Sequence, residues 1–174
     1  MPNVTIRRAV HADMKAVGQL GALLIKTHYD FDPARFIAGG PDSPQRYGSF
    51  LGTQLEKENI IVLVAESEGN VVGYTYAGVE GFDYMALRGP AGVLYDIVVD
   101  PAFRGQGIGR MLLDATIAAL KARGEPRVVL STAEKNEAAQ RLFARAGFRP
   151  TMIEMTLNLD GTALGRADSE TQPA

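Results

Sequence analysis

The sequence predicts an α/β domain built on a mixed central sheet of about six to seven strands flanked by helices. Three observations carry that prediction. Short apolar runs of strand type alternate along the chain with amphipathic helical stretches. A hairpin signal joins two of the runs, so part of the sheet is antiparallel. A strand–helix–strand unit near the middle then requires a parallel crossover.

Element by element, Val4, Thr5, Ile6 and Arg7 form the first strand. Asp13 stands as the N-cap of a helix that carries Met14, Val17, Leu20, Leu23 and Leu24 on one face. Residues 33–37 form a short helix, 39–44 a glycine- and proline-rich loop, and 45–57 a further helix. Residues 60–65 are almost entirely apolar, as in a strand buried on both faces. A turn at 66–70, with Gly69-Asn70 supplying the turn chemistry, leads to the hairpin partner at 71–79.

Residues 81–92 read as a loop and 93–99 as the fourth strand. A helix follows at 107–123, with Ile108, Met111, Leu112, Ala115 and Ala119 on one stripe, ended by Gly124 and Pro126. The fifth strand is 128–130. Asn136 caps a helix running to Arg145, with Glu137 in its first turn and Gly147 past its end. Residues 152–159 form the last strand, and the polar stretch 160–174 is a frayed tail. The expected organisation is therefore one domain over 1–159.

Composition excludes several function classes. The 174 residues include no cysteine, which removes disulfides, thiolate metal sites and a cysteine nucleophile. With only His11 and His28, a histidine-rich metal centre has too few ligands, and no metal is expected. A formal charge of −2 gives no bias toward nucleic acid. No run approaches the ~18 apolar residues of a membrane span, and the first residues lack a signal-peptide core. A cytoplasmic protein with neither nucleic acid nor membrane as partner is the expectation.

The chemistry concentrates at Arg104-Gly105-Gln106-Gly107-Ile108-Gly109-Arg110. Here a buried strand stops at Asp100-Pro101 and a glycine-rich turn opens a strong helix. Such a turn leaves successive backbone N–H groups unpaired and pointing one way, and the helix dipole adds partial positive charge. Glycine lets the backbone come close to a bulky anion. This is the physics of a phosphate or pyrophosphate cradle, to which Arg104 and Arg110 can add charge. Neither common nucleotide pattern fits: the stretch reads G-x-G-x-G, not G-x-G-x-x-G, and Arg110-Met111 follows where a P-loop needs Lys-Ser/Thr.

The same six residues, Arg104 to Gly109, resemble the R/Q-x-x-G-x-G/A motif of the GNAT N-acetyltransferases. About thirty residues on, Asn136-Glu137-Ala138-Ala139-Gln140-Arg141-Leu142-Phe143-Ala144-Arg145-Ala146-Gly147-Phe148 is similar to that family's N-x-x-A-x-x-L-Y/F-x-x-x-G-F segment. The order of elements agrees from Val4 to Leu159. The resemblance implies a GNAT-like fold, acetyl-CoA as co-substrate, and direct acetyl transfer to an amine in a ternary complex. It implies that the fourth strand splays from its parallel neighbour, so that the backbone of Ile97, Val98 and Val99 pairs with the pantetheine arm. It implies that Arg104, Gly105, Gln106, Gly107, Ile108, Gly109 and Arg110 hold the pyrophosphate, with Asn136 and Phe143 beside the arm and its sulfur.

The catalytic groups are less determined. An alkyl amine is mostly charged at neutral pH and must lose a proton to attack. Asp96, between the apolar positions of a strand, is a carboxylate whose burial would raise its pKa toward that of a base; an ordinary hydrogen bond to a loop N–H is the alternative. Many relatives carry tyrosine where Phe143 stands, as the acid for the leaving thiolate. Without that hydroxyl the thiolate leaves unprotonated, Tyr95 or a water serves, or catalysis is impaired. Strand alternation places Tyr95 on the face opposite Asp96. Glu66, Glu80 and Asp83 are weaker base candidates, and His28, Tyr29, Asp30 and Asp32 are candidates for the acceptor pocket. The expected acceptor is a small-molecule amine, with a homodimer compatible with the resemblance. The competing readings are an acyl-CoA-binding sensor without turnover, transfer of a longer acyl group, and a protein N-terminal or lysine acetyltransferase.

Overall fold

A computed structural model describes residues 3–159, so the polar stretch 160–174 lies outside the described residues. The elements run β1 (Val4–Arg8), α1 (Met14–Phe31), α2 (Ser43–Gln54), β2 (Ile60–Ser67), β3 (Asn70–Glu80), β4 (Ala91–Val99), α3 (Ile108–Ala122), β5 (Val128–Leu130) and α4 (Glu137–Arg145). The five-stranded sheet has the order β1-β2-β3-β4-β5. Its first three pairings are antiparallel, and only β4 with β5 is parallel.

Each face of the sheet has its own core. Ile61, Leu63, Ala65, Val72, Ala77 and Leu94 pack against Ile108, Leu112, Leu113 and Leu120 of α3 and Phe143 of α4. Val64, Tyr74 and Val98 face the other way, against Met14, Val17 and Leu20 of α1 and Leu51 of α2. A large side chain buried this way stabilises by about 1.5–3 kcal/mol, so a one-residue slip of a central strand would lose both cores together. α1 and α2 touch backbone to backbone: a Cβ on Gly18 would lie 2.1 Å from the Pro44 carbonyl oxygen, and one on Gly48 2.4 Å from that of Met14.

Four expectations come out differently. Residues 152–159 are not a strand. Their apolar alternation is present, but Met152, Ile153, Met155, Leu157 and Leu159 are all exposed, from 75% to 93%. Alternation assigns faces to a segment; a strand also needs a neighbour, and none of the recorded ladders includes this one. Residues 33–37 make a turn, because the Asp32 carboxylate accepts from the N–H groups of Ala34 and Arg35 and ends the helix there. The β2–β3 turn uses Glu68 and Gly69 at φ 50° and 78°, not Gly69-Asn70, since Asn70 already pairs with Ser67. Asp13 does stand before α1, but its carboxylate binds the Arg7 guanidinium and the Val10 N–H instead of capping α1.

A bulge in β4 positions everything that follows. β3 and β4 pair from Gly73 with Val99 to Tyr76 with Asp96, then resume at Ala77 with Leu94. Tyr95 is the extra residue. The expected placement of Tyr95 opposite Asp96 is therefore wrong, because the bulge lets two successive side chains share one face. The Tyr95 ring lies 4.7 Å from that of Tyr76, and it fills the space beside Gly78.

Candidate functional site

The ladder between β4 and β5 is short. It covers Gly92, Val93 and Leu94 against Val128, Val129 and Leu130, and stops there. Beyond Leu94 the two strands part. A cavity of about 290 Å³ lies at the parting, lined by Leu94, Tyr95, Asp96 and Ile97 of β4, by Leu130 to Thr132, and by Asn136, Ala139 and Phe143 of α4. Its far wall comes from His28 of α1, Tyr47 of α2 and the turn that carries Phe36 and Ile37.

Six of the residues singled out from sequence thus meet in one place: His28, Tyr95, Asp96, Ile97, Asn136 and Phe143. Val98 does not join them; it is buried in the core under α1 and α2. Asn136 accepts from the Ala139 N–H at 3.2 Å, the helix cap expected of it. Phe143 is 6% exposed and meets Phe148 edge to face.

The glycine turn lies at the end of β4 and opens α3. Gly105 and Gly107 have φ of 77° and 82°, a region that side chains disfavour, and nothing stands within 4 Å of where their Cβ atoms would be. Among the described residues, no hydrogen bond is recorded from any backbone N–H between Gly105 and Arg110; the next one, Met111, returns to Gly107. That is the unpaired array an anion needs. The arginines are placed differently from each other. Arg104 donates to the Val99 carbonyl, beside the turn, whereas Arg110 is held by both carboxylate oxygens of Asp114 and by the Arg145 carbonyl.

The other candidates separate as well. His28 lines the cavity and its Nδ1 lies 2.9 Å from the Leu24 carbonyl oxygen. Asp30 pairs with Lys26, Asp32 holds its turn, and Tyr29 is not in the lining. Glu66 pairs with Arg7, Asp83 with Arg88, and Glu80 accepts from both Arg88 and the Tyr95 hydroxyl. Sequence reasoning missed Tyr47, Tyr74 and Tyr76. The Tyr47 hydroxyl donates to the Asp96 carboxylate, and that of Tyr74 does so at 3.3 Å. The available signal was the pair of tyrosines two apart on β3, which the strand pleat puts on one face.

The model of the acetyltransferase (GNAT) family matches residues 25–148. This chain belongs to the GNAT family. Its curated relatives include the mycothiol acetyltransferase of Thermobispora bispora, 42% identical over 96 residues, covering 53% of this chain and 31% of that protein. The corresponding protein of Acidothermus cellulolyticus is 32% identical over 114 residues, covering 61% and 35%. The chain spans about a third of the length of these relatives. Among solved structures, a mutant of a Bacillus halodurans protein aligns with TM-score 0.77 at 24% identity, covering 89% of this chain and 99% of that one. A predicted acetyltransferase of Clostridium acetobutylicum, solved with acetyl-CoA, aligns at 0.66 and 18% identity, covering 92% and 99%. The fold of this chain is the GNAT fold.

Within this GNAT chain, electrostatics single out Asp96. Burial raises its pKa above the ordinary aspartate value, and the Tyr47 and Tyr74 hydroxyls and the His28 imidazole offset part of that rise. No ion pair recorded among the described residues involves it. Burial and the facing carboxylate also hold the Tyr47 and Tyr74 phenols far above their usual range, so both act as donors, not as anions. Tyr95 is likewise raised, by burial and by Glu80. A carboxylate whose affinity for a proton is increased, in a cavity at a sheet edge, can take a proton from a bound group.

Proposed function

We propose that the chain is an acetyl-CoA-dependent N-acetyltransferase that passes the acetyl group directly to the amine of a small molecule. The observation that carries this reading is the parting of β4 from β5 beside an unpaired row of N–H groups. The open edge of β4 is suited to backbone pairing with an extended amide-bearing arm, and the turn at Gly105 to Arg110 to a pyrophosphate. These residues therefore fit acetyl-CoA, which supplies the thioester.

In this reading the backbone at Ile97 to Val99 holds the arm and an N–H there stabilises the oxyanion. Asn136 and Phe143 border the sulfur. Asp96 accepts the proton that the amine must lose, either directly or through water. The amine nitrogen bonds to the thioester carbon, the carbon–sulfur bond breaks, and the sulfur departs as thiolate. Phe143 has no proton to give, so the thiolate leaves as such or takes one from Tyr95 or water. Holding amine and thioester together supplies much of the rate. We further read the protein as cytoplasmic, metal-independent and homodimeric, the exposed apolar side chains of 152–159 supporting a protein partner.

The test is release of coenzyme A from acetyl-CoA against a panel of amines. Acceptor-dependent release supports the reading, and failure to bind acetyl-CoA at millimolar concentration removes it. Phe143 favours a second reading, a sensor that binds acyl-CoA without turnover; it predicts tight binding and silence across the panel.

A further inference from the structure

An ammonium group that becomes an amide gives up two protons from one nitrogen. The first leaves to expose the lone pair, the second as the tetrahedral intermediate collapses. The nitrogen–carbon bond forms, the carbon–sulfur bond breaks and its electron pair leaves on sulfur, so these bond changes consume neither proton. Asp96 can hold one of them, which leaves the other to be taken.

The cavity lining narrows the choice. Its titratable side chains are His28, Tyr47, Tyr95 and Asp96. Burial and Asp96 hold Tyr47 as a phenol, and burial and Glu80 do the same for Tyr95. A phenol that keeps its own proton accepts a hydrogen bond but does not take up a second proton near neutral pH. Imidazole is the side chain whose charge changes in that range.

The geometry of His28 suits the task. Its Nδ1 lies 2.9 Å from the Leu24 carbonyl oxygen, which can only accept, so Nδ1 carries a proton and Nε2 is the atom that gains or loses the other. Among the described residues no hydrogen bond is recorded at Nε2. Phe36 and Phe31 meet the ring edge to face, with centroids 5.0 and 6.0 Å away, and hold it in place. The residue is half-buried, so a proton on it can reach solvent. His28 enters the cavity from α1 and Asp96 from β4, and the imidazole charge acts on the Asp96 carboxylate. The other charged groups nearby are engaged. Asp30 pairs with Lys26, Asp32 accepts from its turn, Arg35 lies over the Phe36 ring and pairs with Glu154, and Lys135 donates to the Phe31 carbonyl. α4 and the end of β5 give the lining only uncharged side chains, and α2 gives it only Tyr47.

We infer that His28 is the second proton acceptor of this site: its Nε2, on the cavity wall away from Asp96, takes one of the two protons that the substrate nitrogen loses and releases it to solvent. The inference rests on the proposed transferase reading for the source of the proton.

Coenzyme A release from acetyl-CoA is measured with putrescine, glucosamine, kanamycin and glycylglycine. The parent is compared with His28→Gln and His28→Ala, each checked for fold by far-UV circular dichroism. His28→Gln is expected to bind acetyl-CoA as the parent does and to lose about 10²-fold in kcat/KM. Its rate–pH profile should rise through one ionisation where that of the parent rises through two. Added imidazole should restore part of the rate to His28→Ala and none to Asp96→Asn. A slower His28→Ala with an unchanged profile and no rescue marks a packing role and overturns the inference. A second reading needs no turnover. The chain has two histidines, so nitrogen NMR assigns the His28 ring by comparison with His28→Gln. Neutral His28 is expected as the Nδ1–H tautomer, and the Nε2–H tautomer overturns the inference. Silence of the parent with all four amines, acetyl-CoA still binding, removes the transferase reading and the proton's source with it. Turnover that His28→Gln leaves unchanged removes the second acceptor alone.

Discussion

Two aspartates in this chain are pushed in opposite directions, and the contrast is testable. The Arg7 guanidinium, bound at 2.7 and 2.9 Å, holds Asp13 below the ordinary carboxylate value. Its contribution to stability is present above the unfolded pKa and is lost as pH falls through the lower folded value. Asp13→Asn should lower the urea midpoint at pH 7, and the difference from the parent should shrink as pH falls through the lowered folded value. Asp96 is raised by burial, so its contribution is present below the unfolded pKa and is lost as pH rises through the folded value. Asp96→Asn should therefore stabilise the protein at pH 7 while damaging function. In the proposed reaction, kcat/KM climbs with pH as Asp96 ionises under Tyr47, Tyr74 and His28. The asparagine variant should lose that limb and about 10²–10⁴ of the rate. A rate–pH profile that keeps its shape in the variant would assign the base elsewhere.

At the scale of elements, local chemistry was legible and pairing was not. Asn136 capping α4 was readable because a cap acts within a few residues, whereas Gly107, expected as the first residue of its helix, stands just outside it in the left-handed region. The face of Tyr95 was not, since a bulge belongs to two strands and period-two reading counts one at a time. Tyr47 reaches Asp96 across 49 residues, a contact only the packing of α2 on the sheet creates. The docking of α3 has its own signature: Thr75 and Thr116, both fully buried, share a hydrogen bond of 2.8 Å, and Thr116 also donates to Leu112. Thr116→Val strands the Thr75 hydroxyl and should cost about 1–3 kcal/mol. Adding Thr75→Val should recover a good part of that in chemical denaturation, since no orphaned hydroxyl remains. Gly18→Ala, with no space before the Pro44 carbonyl, should force α1 off α2 at a cost of about 3 kcal/mol or more.

Over the whole molecule, the β-α order and the two-sided burial of β2 followed from apolar patterning, while the end of the sheet did not. Segment 152–159 has the right alternation, yet its recorded ties include the Arg35–Glu154 pair and no ladder. The β3–β4 loop, with Phe82, Tyr84, Met85 and Leu87 on the surface, is exposed in the same way. Chymotrypsin should therefore cut first at residues 82–87 and 152–159, read by mass spectrometry of the early fragments, with β2 and β3 surviving longest. First cleavage within β2 or α3 would contradict this order.

The extra residue in β4 also sets up a conflict between durability and use. Deleting Tyr95 would restore an unbroken ladder between β3 and β4, and a regular ladder is the more robust one. Leu94 would stay opposite Ala77 and Asp96 opposite Tyr76, so what the deletion takes away is Tyr95 itself, its ring on Tyr76, its hydroxyl on Glu80 and its share of the cavity wall. Selection of variants for heat resistance alone thus has a route open to it that strips Tyr95 from the cavity wall, and selection for turnover that uses Tyr95 has to keep closing that route. On this account the irregularity should persist wherever the reaction is retained and be among the first things lost where only the fold is.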